Sequence, residues 1–223
     1  MVGGFAGLSA VRSIRGGLSD IFLQLAALGE AEQFAGLLTA AENAQAARIP
    51  NEALRTRFVV SRGLRRRMLA ECTGIAAAEL EFQDAPGKPR LLGAGDWDFN
   101  LSHAGDHVVV AARRGAVGID LEQHREVRDA ALIVRRYFHA DEAQAWRRLP
   151  KDRRAAAFFL FWSAREAAMK CAGLGLARGL SVTRVDPGLL ESGQGQAQVG
   201  DLSLHAINLD APVGYTLVVC RSV

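Results

Sequence analysis

Two carboxylates two residues apart, Asp120 and Glu122, interrupt the apolar run of "GAVGIDLEQH" between Gly115 and His124. Strand side chains alternate, so Val117, Ile119 and Leu121 would share one face and Gly118, Asp120 and Glu122 the other. Like charges on one face repel and lose hydration unless a cation or a basic partner stands between them. A divalent metal answers that need, and Mg²⁺ suits a carboxylate pair with no histidine or cysteine beside it. An exposed strand face with two solvated acids answers it as well, and spacing alone leaves the two readings level.

Further along, "FFLFWSAREAAMK" places Trp162, Glu166 and Lys170 at helical spacing on one face, directly after an apolar run that must pack inward. A Glu-Lys pair four residues apart is ordinarily surface decoration, yet here it shares its face with a large aromatic. A third carboxylate and a lysine at the rim of a core helix could complete a metal and phosphate site. In "FNLSHAGDH", Asn100 and Ser102 alternate with Phe99 and Leu101 and His103 follows, a set able to cradle phosphate. No G-x-S-x-G elbow accompanies the Ser-His pair, so a serine hydrolase is not indicated. "APGKPR" holds Lys88 in a turn between Gly87 and Pro89, which on local grounds is an exposed surface turn.

The elements that position these residues are legible in outline. "DIFLQLAAL" reads as a strand, leaving residues 1–19 as an extension outside the core. Asn51 to Cys72 is apolar at helical spacing with Gly74 as its stop. "WDFNLSH" and "HVVVAA" read as strands, and "RRGA" turns the chain into "VGIDLE" to complete a hairpin. Helices are expected over Glu126–Phe138, Asp141–Leu149 and Asp152–Cys171, and strands over "LSVTRVD", "LSLHAINL" and "GYTLVVC". Runs of helix and strand without regular alternation indicate α+β. An echo between the halves, "CTG" at Cys72 and "CAG" at Cys171, each ending an arginine-bearing helix before a strand, hints at duplication.

In their order and intervals, "GKPRL", "FNLSHAGDHVVVAA", "VGIDLE", "FFLFWSAREAAMKCAGLGL" and "GYTLVV" resemble the Sfp-type 4′-phosphopantetheinyl transferases over roughly Ile21 to Val219. That resemblance implies an α+β fold of two pseudo-symmetric subdomains, each a small antiparallel sheet packed against helices. The expected division is an extension over 1–19, an N-terminal subdomain over 20–117 and a C-terminal subdomain over 118–223. It implies Mg²⁺-dependent transfer of phosphopantetheine from coenzyme A to a serine of an acyl or peptidyl carrier protein, releasing adenosine 3′,5′-bisphosphate. On the matching positions, Asp120, Glu122 and Glu166 would bind the metal and Lys170 the coenzyme A phosphates. Ser102 and His103 would touch phosphate, Lys88 and Pro89 would lie beside the adenine, and Arg48 and Arg57 would line the 3′-phosphate pocket. Glu166, between metal and incoming serine, is the candidate proton acceptor. The chain departs from the family at Arg165, where lysine is common, and at Gln45, where a basic residue is often found; residues 1–19 have no counterpart.

Composition narrows the alternatives. With 49% hydrophobic and 23% charged residues over 223 positions, the chain is a globular one with a substantial core. Its longest apolar run, "AAAFFLFW", is far short of the roughly 18 residues of a membrane helix. No secretory leader is expected, and three cysteines without metal-ligand spacing fit a reducing cytoplasm. The net charge of +3 is spread over both halves, so the cluster "LRTRFVVSRGLRRR" reads as a solvated helix face or a phosphate contact. A nucleic-acid binder would explain that helix alone, without aromatics for base stacking. A Mg²⁺-dependent hydrolase of a nucleotide-like pyrophosphate is the competing enzyme reading. Both halves of the site in one chain favour a monomer.

Overall fold

A computed structural model describes residues 12–13, 20–83 and 88–223. Strand β1 (Arg12–Ser13) pairs with β2 (Phe22–Ala27), which is followed by the short helix α1 (Glu32–Ala35). The rest of the expected 1–19 extension, and the start of the "APGKPR" turn, lie outside the described residues. Helix α2 (Ala40–Ala47) is capped by Thr39, whose hydroxyl accepts from the Glu42 N–H while Glu42 accepts from the Thr39 N–H. The long helix α3 (Glu52–Thr73) starts where the Asn51 side chain accepts from Leu54 N–H and stops at Gly74, whose φ of 76° is costly for other residues. Strands β3 (Phe82–Gln83) and β4 (Arg90–Leu91) form a small ribbon before β5 (Trp97–Ala104), β6 (His107–Arg114) and β7 (Val117–Gln123).

In the second half, α4 (Ala130–Tyr137), α5 (Ala140–Arg148) and α6 (Arg154–Cys171) precede α7 (Leu176–Gly179) and β8 (Thr183–Val185). Helix α8 (Leu189–Ser192) leads into β9 (Gln194–Val199), β10 (Leu202–Leu209) and β11 (Tyr215–Ser222). Helix α4 begins four residues later than its apolar pattern suggests. Strand β9 was not expected, since "QGQAQV" offers only Ala197 and Val199 to the core.

Two antiparallel sheets result, in the orders β1-β2-β6-β5 and β7-β11-β10-β9-β8. The expected hairpin of "HVVVAA" with "VGIDLE" does not form. Strand β6 already has β2 and β5 on its two edges, so β7 crosses over and pairs with β11. Alternation then sorts the core into layers. Val108, Val110 and Ala112 of β6 pack on α3, while Val109 and Ala111 meet Ile119, Leu121, Leu217 and Val219 of the second sheet. The opposite face of that sheet, including Ala206, Val218 and Cys220, packs on α6. The fold is therefore α+β, two helix-backed antiparallel sheets set face to face. Among the described residues no helix is long and apolar enough to cross a membrane.

Candidate active site

The edge strands β5 and β7 meet along a polar seam. Residues 98, 100 and 102 share one face of β5. Asp98 Oδ2 accepts from Val117 N–H at 2.9 Å and Asn100 Oδ1 accepts from Ile119 N–H at 2.9 Å. Ser102 Oγ donates to Asp120 Oδ1 at 3.0 Å. Side chains thus occupy donors that an edge strand would otherwise leave open. Lys88 closes one end of the seam, pairing with Asp98 and donating to Val117 O at 2.5 Å.

On its other face β7 lies against α6, and this settles why two acids occupy a buried strand. A Cβ on Gly118 would sit 2.0 Å from Ala167 O and 2.4 Å from Cys171 N, so only glycine lets the helix come this close. The close approach brings Lys170 of α6 to Asp120, where Nζ donates to Oδ1 at 2.7 Å and to Ser102 Oγ at 3.1 Å. Glu166 Oε2 is farther from the same ammonium, at 3.7 Å. The lysine's main partner is therefore across the interface rather than one turn back on its own helix.

The negative charge here is under-compensated. Asp120 Oδ2 is buried with no hydrogen-bond partner. Burial, then the charges of Asp120 and Glu166, push Glu122 up to about 7. Burial and then Asp120 push the Glu166 carboxyl up as well, against Lys170 and a hydrogen bond with Trp162. Among the described residues no three His, Cys, Asp or Glu side chains are arranged to hold a metal ion as they stand. The donor set still fits a hard divalent cation: oxygens only, one of them orphaned, and a surplus of carboxylates over the single lysine.

Beside this cluster opens a cleft of about 610 Å³, walled by α3 on one side and by α6 and the chain after it on the other. Of the expected residues, Arg57, Lys88, Pro89, His103, Glu166 and Lys170 line it. Arg57 Nε is buried without a partner. Desolvation and then the Arg57 charge hold the His103 imidazole below its ordinary value. Ser102 is buried, is not among the lining residues, and bonds to Asp120 and Lys170 instead. Arg48 is exposed at the end of α2 and is not among the lining residues, while its neighbour Ile49 is. Gln45 is likewise exposed on α2, and Arg165 is buried facing Glu142, so neither departure touches the cleft. Arg62, from the arginine cluster read as a helix face or phosphate contact, lines the cleft as well, whereas sequence reasoning missed the apolar walls, Phe58, Leu101, Met169 and Leu176 among them. The positions of these apolar residues on α3, β5, α6 and α7 are those of ordinary core or surface residues, so no local signal marked them. Asp98, too, gave no sign of its bond across the seam.

Known proteins decide the family. A profile described as 4′-phosphopantetheinyl transferase superfamily matches residues 116–216, and one described as 4′-phosphopantetheinyl transferase, N-terminal, matches residues 29–115. The chain belongs to the 4′-phosphopantetheinyl transferase superfamily. Within it, the chain is 37% identical over 126 residues to the transferase psf-1 of Bacillus pumilus, covering 56% of this chain and 53% of that protein. It is 29% identical over 170 residues to HetI of Nostoc sp., covering 72% of each. Sfp of Bacillus subtilis is 28% identical over 138 residues, 61% of this chain and 60% of that one. The match thus spans about half of the first of these phosphopantetheinyl transferases and nearly three quarters of the second.

Proposed function

We propose that this chain transfers the 4′-phosphopantetheine group of coenzyme A to a serine of an acyl or peptidyl carrier protein, leaving adenosine 3′,5′-bisphosphate. The observation that carries the reading is that Asp120 of β7 meets Glu166 and Lys170 of α6 at the end of one cleft that Arg57 and His103 also reach. The cleft is of ligand size, and its lining combines apolar walls with a few charged groups. It would take coenzyme A between a subdomain of residues 20–117 and one of 118–223.

The chemistry divides among the residues by position. Attack of a serine oxygen on the phosphorus that carries pantetheine forms one P–O bond and breaks the pyrophosphate P–O bond. The serine proton needs an acceptor, and Glu166, which lines the cleft, would take it directly or through one water. Lys170 donates to the phosphate oxygens as charge builds on the leaving group. Arg57 and His103 hold the distal phosphate, while Lys88 and Pro89 border the purine. Ser102 reaches phosphate only by way of the Lys170 and Asp120 side chains that it orients. Arg48 steers coenzyme A from outside the cleft, as a long exposed cation near its mouth. Asp120, Glu122 and Glu166 would hold Mg²⁺, which when bound neutralises pyrophosphate charge. The free thiols of Cys72, Cys171 and Cys220 suit a cytoplasmic enzyme, and the presence of both cleft walls in one chain suits a monomer.

Incubation with coenzyme A, Mg²⁺ and an apo carrier protein, followed by mass spectrometry of the carrier, tests the reading. A phosphopantetheine mass gain that chelator abolishes is the expected result. Cleavage of coenzyme A with no gain on the carrier would instead establish a pyrophosphate hydrolase.

A further inference from the structure

Each half of the molecule contains the same buried construction. Glu42 is the third residue of α2, and its Oε2 accepts from the Thr39 N–H at 3.0 Å. Twenty-three residues later, Arg65 Nη2 donates to Glu42 Oε1 at 3.2 Å, and Arg66 Nε donates to Oε2 at 2.7 Å. Arg66 Nη1 also donates to Ala77 O and Leu80 O, at 2.6 and 3.1 Å. In the other half, Glu142 is the third residue of α5, and its Oε2 accepts from the His139 N–H at 3.2 Å. Twenty-three residues later, Arg165 Nη1 donates to both oxygens of Glu142, at 3.0 and 2.9 Å. Arg165 Nη2 donates to Tyr137 O and Leu180 O, at 2.6 and 2.5 Å. Glutamate, arginine and leucine carbonyl recur one hundred residues apart, 42, 65 and 80 against 142, 165 and 180, but in the first half the grip on the carbonyls falls to Arg66, the neighbour of Arg65.

Both sets are shut away from water: Glu142 is 0% and Arg165 1% exposed, Glu42 8% and Arg65 4%. A buried ion pair gains little stability over a well-packed apolar pair, because desolvation consumes most of the attraction. What a planar guanidinium gripping a carboxylate and two carbonyls does supply is direction. The C-terminal clamp ties α6 to α5, to the end of α4 and to the residue that follows α7, which leaves the helix no freedom to roll. Glu166 is the next residue along α6, and Lys170 follows one turn later. A catalytic constellation tolerates only about 0.5 Å and 10–20° of error, so roll of α6 would spoil both together. The N-terminal clamp ties α3 to α2 in the same manner, and α3 carries Arg57, two turns before Arg65, into the cleft.

We infer that Glu142 with Arg165, and Glu42 with Arg65 and Arg66, are two versions of one positioning clamp, the first aligning the helix that performs transfer and the second the helix that binds coenzyme A. The inference rests on the transferase reading for the tasks of the two helices. It makes Arg165 a positioning residue that acts through Glu166 and Lys170, and Glu42 one that acts through Arg57.

Matched variants of the full chain, Glu142→Gln and Glu42→Gln, separate this from a role in stability alone. Steady-state kinetics with coenzyme A and apo carrier, run beside thermal unfolding, supply the readout. Both variants should melt earlier. Glu142→Gln should lower kcat by about tenfold or more with KM for coenzyme A within about threefold; Glu42→Gln should raise that KM by about tenfold with kcat within about threefold. Arg165→Lys and Arg66→Lys, which keep the charge and lose the planar grip, should show the same split more weakly and serve where a glutamine variant does not fold. Kinetic losses that merely follow the melting temperature, equal in kcat and KM for the two halves, would overturn the clamp assignment. So would a lowered melting temperature with unaltered kinetics. A wild-type chain that leaves the carrier unmodified would overturn the transferase reading itself, and with it the tasks given to the helices.

Discussion

Lys170 Nζ donates to Asp120 Oδ1 at 2.7 Å across fifty residues of sequence, joining the second half's helix to the strand that opens its sheet. With Glu166 at 3.7 Å from the same ammonium, one cation serves two carboxylates, and Glu122 adds a third nearby. Carboxylates outnumber the single ammonium, so their mutual repulsion works against the stability of the protein.

Asp120→Ala and Glu166→Gln are therefore expected to lose most of the transfer activity, about 100-fold or more in kcat, without loss of fold. Melting temperatures should equal or exceed that of the wild type, since each substitution relieves repulsion among buried acids. Turnover on an apo carrier and a thermal melt check both halves of the expectation; near-normal turnover in either variant would refute the assignment.

Arg57 and Arg48 should behave differently although both are arginines of the first half. Arg57→Ala is expected to raise KM for coenzyme A by about 10- to 100-fold, the usual loss for one charge-assisted contact of roughly 1.5–3 kcal/mol. Arg48→Ala, at an exposed position outside the cleft lining, is expected to change it by about threefold or less, with the difference growing at low salt. Initial-rate measurements over a coenzyme A series distinguish them.

Gly118→Ala should be among the most damaging single changes in the chain. The added carbon would meet backbone atoms of α6 at 2.0 and 2.4 Å, and neither can move without shifting the helix. A loss of about 3 kcal/mol is expected, read from urea unfolding, together with loss of transfer as Lys170 is carried away from Asp120.

The thiols should be inert in the folded protein. Burial, with a smaller push from Glu71, raises Cys72 to about 12; burial raises Cys171 to about 11 and lifts Cys220 well above its ordinary value. Ellman's reagent at pH 8 should titrate none of the three within minutes, and all of them in denaturant. Folding raises these values above the ordinary 9.0. Their contribution to stability is thus intact below about pH 9 and is lost as pH climbs through about 11. Unfolding midpoints across that range give the check.

What the sequence determined by itself was whatever depends on near neighbours along the chain. The alternation that splits β7 into an apolar and an acidic face is a property of seven consecutive residues, and the Asn51 cap and the Gly74 stop of α3 are equally local. The order of the motifs was enough for the superfamily and the α+β class. Tertiary structure decided which atoms meet. Strand β7 pairs with β11 and not with its predecessor because both edges of β6 are taken. Ser102 points at Asp120 instead of the cleft because β5 and β7 lie side by side, a pairing of two sheets that no segment encodes alone. Arg165 has its partner 23 residues away on another helix, and Lys88 has one across the seam on β7. Such contacts come from packing two sheets and two helices at once, so they follow from the sum of the chain's burial rather than from any spacing within it.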